Sequence, residues 1–158
     1  MYGKTTKTIA LTKLMRYCAY QDRCHSEVRY KLLDLGLRGY DVEEVISRLI
    51  TEGFLNEERF ARSYVRGKFG QKQWGRNKIL QGLSHKQVSP YCIQKGLEEI
   101  DDQEYQDTLQ QLASQKWKLL KERNPFTRRQ KLANYLIRKG YEPELVWNHI
   151  RKIYPIQS

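Results

Sequence analysis

An all-α fold, built as tandem repeats of three-helix (helix-turn-helix-like) units forming an elongated curved body, is what three features of this 158-residue chain predict. Apolar residues recur at helical spacing from end to end, while period-two alternation is nearly absent. Glycine and proline fall at intervals that suit short helices, about nine of them. A pattern also recurs. Leu35-x-x-x-Gly39-Tyr40 matches Leu136-x-x-x-Gly140-Tyr141, and the same register sets Val45 on Val146 and Leu49 on Ile150. A helix-turn-helix unit repeated roughly every 50 residues buries little apolar surface alone, so neighbours must lean on one another. With 39% hydrophobic residues, several small modules fit better than one large core. The expected units are 1–53, 54–100 and 101–158, the middle one basic.

In chain order, Leu11, Leu14, Met15, Cys18 and Ala19 share one helical face. Ser26 or a neighbour caps a second helix through Val28, Leu32 and Leu35, which Gly39 ends. Asp41, with Glu44 three residues on, makes a capping-box-like start for Val42, Val45, Ile46, Leu49 and Ile50, and Gly53 supplies a left-handed stop. Asn56 caps a helix carrying Phe60, Ala61, Tyr64 and Val65 as far as Phe69, after which Gly70 and Gly75 bracket a turn. Ile79 and Leu83 mark the next helix. Ser89-Pro90 is a cap followed by proline at the first helical position, opening a helix through Ile93 and Leu97. The third set begins near Asp102 with Tyr105, Leu109, Leu112, Trp117 and Leu120, and breaks at Asn124-Pro125. It restarts at Thr127 with Leu132, Ala133 and Leu136, turns at Gly140, and ends in a helix opened by Pro143 through Val146, Trp147 and Ile150.

The net charge of +11 is unevenly spread. From Arg59 to Leu97 there are nine basic residues (Arg59, Arg62, Arg66, Lys68, Lys72, Arg76, Lys78, Lys86 and Lys95) and no acid, with Tyr64, Phe69, Trp74 and Tyr91 interleaved. Six acids follow at Glu98, Glu99, Asp101, Asp102, Glu104 and Asp107. Ion pairing inside the acid-free stretch is impossible, so its charges repel until something anionic arrives, the pattern of a surface that meets a polyanion. A solvated basic face is the bland alternative. Arg59, Arg62 and Arg66, three and four positions apart, share a helical face with Phe60, Tyr64 and Val65 on the other. Lys68, Lys72, Arg76 and Lys78 extend that face across the turn, where Trp74 is either core or contact. Phe60 is expected in the core.

Catalysis finds no support. No nucleophile with its base, no phosphate-cradling loop and no metal cluster is visible; His25, His85 and His149 fall in different repeats, and the adjacent Glu57 and Glu58 point about 100° apart on a helix. No cofactor or metal is expected. The three cysteines form no CxxC pair; Cys24-His25 beside Cys18 lacks a fourth ligand, and Cys18 and Cys92 suit small buried hydrophobes. No apolar run approaches the ~20 residues of a membrane span, and the N-terminus has no long apolar segment, so a cytoplasmic protein is expected. The helix Pro90 to Leu97 holds only Gln94 and Lys95 as base-reading types, thin equipment for sequence-specific DNA recognition.

Gly53-Phe54-Leu55-Asn56-Glu57-Glu58-Arg59-Phe60-Ala61, followed by Lys68-Phe69 and Trp74-Gly75-Arg76-Asn77-Lys78-Ile79, resembles the RecX family of recombinase regulators, in which G-[FY]-L-[DN]-[DE]-x-R-F-A precedes a basic G-x-x-[RK]-I segment. Ser26-Glu27-Val28-x-x-Lys31-Leu32 and Arg138-Lys139-Gly140-Tyr141 fit as well, so the resemblance covers nearly the whole chain. It implies tandem three-helix repeats and a non-enzymatic protein that binds the RecA-DNA filament along its groove, restraining ATPase and strand exchange. From the basic stretch, single- or double-stranded DNA contacted without sequence specificity is also an expected partner, and a monomer is expected. Gln87 departs from the pattern where the family usually carries Gly, which puts the turn of the second repeat in doubt. Two further classes stay open: a stand-alone nucleic-acid-binding module, and an adaptor whose basic patch meets an acidic protein.

Overall fold

The computed structural model describes residues 2–156, with side chains from Thr6 onward. Among the described residues there are nine helices and no strand: α1 Tyr2–Tyr20, α2 His25–Asp34, α3 Tyr40–Thr51, α4 Glu57–Gly70, α5 Arg76–His85, α6 Pro90–Leu97, α7 Asp102–Leu119, α8 Pro125–Arg138 and α9 Pro143–Ile153. They succeed one another as three triplets. By packing, the chain divides into two compact units, Met1–Tyr64 with Leu83–Leu97, and Val65–Gly82 with Glu98–Ser158. The middle triplet contributes to both.

In the first unit, Ala10, Leu14 and Cys18 of α1 meet Val28 and Leu32 of α2 and Val42, Val45, Ile46 and Leu49 of α3, with Leu37 and Leu55 closing the ends of this core. Each such side chain, fully buried, is worth about 1.5–3 kcal/mol for the larger aliphatics. The cap of α2 is Cys24, whose backbone N–H donates to Glu27 Oε1 at 3.0 Å. Ser26 is already inside the helix, and its hydroxyl donates to the Lys86 carbonyl at 2.6 Å. Cys24 is fully buried and Cys92 only half-buried, the reverse of the expectation for Cys92. Phe60 is core, as expected. Gly96 packs directly on Ala61, whose carbonyl oxygen would lie 2.9 Å from any Cβ there.

Four helix ends repeat one motif. In each, the N–H of a residue with positive φ bonds the carbonyl three positions back, and the next N–H bonds five back. The pairs are Gly36 to Leu33 with Leu37 to Leu32, Gly53 to Ile50 with Phe54 to Leu49, Gln87 to Ser84 with Val88 to Leu83, and Gly140 to Ile137 with Tyr141 to Leu136. This is the glycine-type helix stop, which satisfies the last carbonyls of the helix. It corrects three expectations. Gly36, at φ +97, ends α2, while Gly39, at φ +58, is the residue before α3, so Asp41 lies within the first turn of α3 and is not its cap. The repeat register shifts by three: Gly36, Val42 and Ile46 correspond to Gly140, Val146 and Ile150, with Gln87, Ile93 and Leu97 between. Gln87 keeps the turn its sequence put in doubt, in the left-handed region at φ +63.

In the second unit, Tyr105, Leu109, Leu112 and Ala113 of α7, Leu132, Ala133 and Leu136 of α8, and Val146 and Ile150 of α9 are buried, together with Val65, Phe69, Ile79 and Tyr141. Asp101 caps α7, and Asn124 caps α8 by accepting from the N–H groups of Phe126 and Thr127. Pro125 occupies the first turn of α8, so this helix starts two residues before the expected Thr127. Trp117 stacks on Tyr154 at 4.3 Å and receives Arg128 over its ring at 3.9 Å.

Candidate nucleic-acid interface

The acid-free stretch does not stay unneutralised. Acids from elsewhere in the fold reach several of its cations. In the first unit Arg59 Nε donates to Asp22 at 2.7 Å, and its Nη2 donates to the carbonyls of Gly53 and Phe54. Arg62 pairs with Glu58 one turn back at 3.2 Å, and Lys86 with Glu27 at 3.6 Å. Glu57 accepts from the Ser89 N–H at 2.6 Å and meets His25 at 3.1 Å. Only Glu58 is a near neighbour along the chain, one turn back in the same helix; Asp22 and Glu27 are brought in by other parts of the fold.

The second unit treats Arg66 and Arg76 in the same way. Arg66 meets Glu99 at 2.6 Å. Arg76 bonds Asp102 at 2.8 Å and Glu142 at 3.1 Å while lying 3.9 Å over the ring of Tyr105. The Tyr105 hydroxyl accepts from the Arg76 N–H at 3.0 Å and donates to Glu142. Burial, then the bond to Glu142, pushes the Tyr105 hydroxyl far above the ordinary tyrosine range, so it stays a donor at and well above neutral pH. Arg76 is therefore woven into the packing beneath the loop that precedes it.

That loop, residues 71–75, carries Lys72 and lies between Lys68 and Lys78, while Lys95 lies over the Tyr91 ring in the first unit. The end of α4 turns through Gln73, at φ +58, with the Trp74 N–H bonded to the Lys68 carbonyl at 3.0 Å. Gly75 then lies against Gly140: a Cβ on Gly75 would sit 2.3 Å from the Gly140 carbonyl carbon and the Tyr141 nitrogen. Only hydrogen fits there. Backbone bonds fasten the contact, from Gly75 N–H to the Lys139 carbonyl and from Asn77 N–H to the Gly140 carbonyl, both 2.9 Å, and the Tyr141 hydroxyl donates to the Gln73 carbonyl at 2.9 Å.

Around this corner Trp74 is half-buried, neither the core residue nor the projecting one of the two sequence readings. Lys68 Nζ lies 4.8 Å and Lys78 Nζ 4.4 Å from its ring centroid, distances at which an ammonium is attracted to an indole by about 0.5–1 kcal/mol. Lys139 Nζ donates to the Lys72 carbonyl at 3.2 Å, bringing a fourth lysine to the group. Among the described residues no carboxylate pairs with Lys72, Lys78 or Lys139. Of the seven expected contact residues, the fold thus sets Lys68 and Lys78 over one aromatic ring, places Lys72 in the loop beside it, and engages Arg59, Arg62, Arg66 and Arg76 with carboxylates. Lys139 was missed because it lies about 40 residues beyond the end of the stretch, although Arg138-Lys139-Gly140-Tyr141 stood out as a motif. Among the described residues no helix is long and apolar enough to cross a membrane.

Residues 56–97 match the family model for the second three-helix domain of RecX, and residues 102–150 that for its third three-helix domain. The regulatory protein RecX of Clostridium perfringens (strain 13 / Type A) is 30% identical over 133 residues, covering 83% of this chain and 62% of that relative. The regulatory protein RecX of Pelodictyon phaeoclathratiforme is 27% identical over 142 residues, covering 90% of this chain and 87% of its own length. Among the first such relatives the chain spans about half to three fifths of their length, 51% in that of Bacillus mycoides. The crystal structure of RecX from Lactobacillus salivarius superposes with a TM-score of 0.82 at 23% identity, covering 96% of this chain and 99% of that one, and so shares the fold.

Proposed function

The chain belongs to the RecX family of regulatory proteins, and on that premise we propose that it binds the RecA-DNA filament and inhibits its ATPase and recombination activity. The observation that carries this reading is the cluster of lysines at Trp74. Lys72, Lys78 and Lys139 stand without a carboxylate partner among the described residues, whereas the four arginines of the acid-free stretch, Arg59, Arg62, Arg66 and Arg76, each have one. Such a group binds phosphates by releasing their counterions, and it positions a strand without reading its bases. Single- or double-stranded DNA in the filament is the polyanion, and Lys68, Lys72 and Lys78, with Lys139 added, are the principal contacts. Arg59, Arg62, Arg66 and Arg76 contribute less, since an approaching phosphate must compete with the carboxylates they already hold. The protein acts as a cytoplasmic monomer, regulating without catalysis of its own.

The test is the DNA-dependent ATPase of RecA titrated with this protein. Turnover should fall as the protein is added, and Lys72→Glu with Lys78→Glu should leave turnover at its uninhibited rate. A wild-type protein that never lowers turnover would overturn the reading. Equal inhibition by the double variant would remove the lysine cluster from it. DNA binding without any response from RecA would favour the stand-alone nucleic-acid module.

A further inference from the structure

A second acid-free stretch runs from Arg123 to Tyr141 and contains the whole of α8. It holds Arg123, Arg128, Arg129, Lys131, Arg138 and Lys139 between Glu122 and Glu142. Leu132, Ala133 and Leu136 bury one side of α8. Thr127, Gln130, Lys131, Asn134 and Arg138 are exposed, at offsets of 0, 3, 4, 7 and 11 residues from Thr127, which places them along one helical face. That face carries no apolar residue and no acid. It borders a groove of about 350 Å³ lined by Lys116, Leu120, Glu122, Lys131, Asn134, Tyr135 and Arg138. Glu122 is the one acid there, and Lys131 is bonded to it. Lys116 lies 4.8 Å over the Tyr135 ring. Among the described residues Arg138 has no carboxylate partner.

We propose that this groove on the solvent face of α8 is a second DNA-backbone contact, with Lys116, Asn134 and Arg138 as its phosphate-binding groups. The occupant follows from the chemistry of the face. Protein interfaces have apolar, aromatic-rich centres, whereas the centre of this face is made of amide and cationic groups, the residue types that bond phosphate oxygens. Arg138 offers the planar fork that grips a phosphate through two N–H groups. The Asn134 Oδ1 accepts from Gln130 Nε2 at 2.9 Å, which leaves the Asn134 amide N–H groups to donate. The inference goes beyond the filament reading and does not require it, because it concerns DNA bound by this chain alone.

The experiment measures affinity for a fluorescent single-stranded oligonucleotide, over a range of salt, by polarisation. The variant is Asn134→Glu with Arg138→Gln, and the control is Thr12→Glu with Lys13→Gln, two exposed positions of α1 that change net charge by the same amount. The groove variant should bind about tenfold more weakly, with the log-log salt slope about 0.7 shallower for the one cation removed. The control should change affinity less than about twofold, and Arg138→Lys, which keeps the charge but loses the two-pronged grip, should fall between wild type and Arg138→Gln. Thermal unfolding followed by circular dichroism checks that the variants fold. Should the double variant prove unstable, Arg138→Gln alone, at the exposed last residue of α8, gives the same reading with a smaller shift. Equal losses in groove variant and control, or no loss in either, would overturn the proposal. A RecA ATPase that ignores the protein while polarisation still separates the two variants would overturn the filament reading and leave this one standing.

Discussion

In the first unit Arg29, Arg48, Arg59 and Arg62 meet carboxylates at 2.6, 3.0, 2.7 and 3.2 Å. In the second, Lys78 lies over the Trp74 ring and Lys139 donates to the Lys72 carbonyl, and none of the three lysines has a carboxylate partner among the described residues. Both sets are basic, yet their work differs. The Arg59 guanidinium bridges an acid and two carbonyls, the fork geometry that suits internal ties. The lysines are compact charges on long stems, held near one another by an aromatic ring and a tight backbone corner. Like charges brought together without acids cost free energy that an arriving polyanion relieves. A cation's role therefore depends on what the fold sets opposite it.

The largest effect that can break this comparison lies at the glycines. Gly75→Ala should destabilise by about 3 kcal/mol or more, because the atoms its Cβ would strike are backbone and cannot rotate away. Gly36→Ala in the first unit meets nothing within 4 Å and should cost only about 1 kcal/mol, for its positive φ. Denaturant midpoints measured side by side check this, and equal costs would mean that the Gly75–Gly140 contact is not what holds the lysine corner.

A smaller effect separates the two kinds of cation. Lys72→Glu with Lys78→Glu should weaken single-stranded DNA binding about tenfold, or about 1.4 kcal/mol, and make the salt slope about 1.4 shallower for the two cations removed. Stability should move by no more than about 0.5 kcal/mol. Arg59→Gln should do the opposite, lowering stability by about 1 kcal/mol through its half-exposed ion pair and two carbonyl bonds while leaving affinity within about threefold. If Arg59→Gln costs more binding than the lysine reversal, the division between tying and contacting cations is wrong.

The smallest effect concerns Gln87. Three of the four equivalent helix ends place Gly at the left-handed position, and the fourth places Gln at φ +63. Gln87→Gly should stabilise the protein by about 0.5–1 kcal/mol, the relief of left-handed strain less the entropy that glycine adds to the unfolded chain. A stability that stays level or drops would show that the Gln87 side chain contributes something the turn alone does not explain.

Helix content, most helix starts and the buried faces were legible in the sequence, because spacing, caps and proline act over a few residues. Asn56, Ser89, Asn124 and Pro143 mark starts without reference to anything distant. The family was legible too, through local motifs. Local signals erred where two candidates stood three residues apart: Gly36 and Gly39 both suit a left-handed turn, and only the bonds from Gly36 to Leu33 and Leu37 to Leu32 select the first as the stop. Tertiary structure alone decided which cations are spent and which are available. Asp22 lies 37 residues from Arg59, Glu142 lies 66 from Arg76, and Lys139 reaches Lys72 across 67. Electrostatic pairing acts through space, and no reading of neighbours along the chain can supply partners that folding brings from so far away.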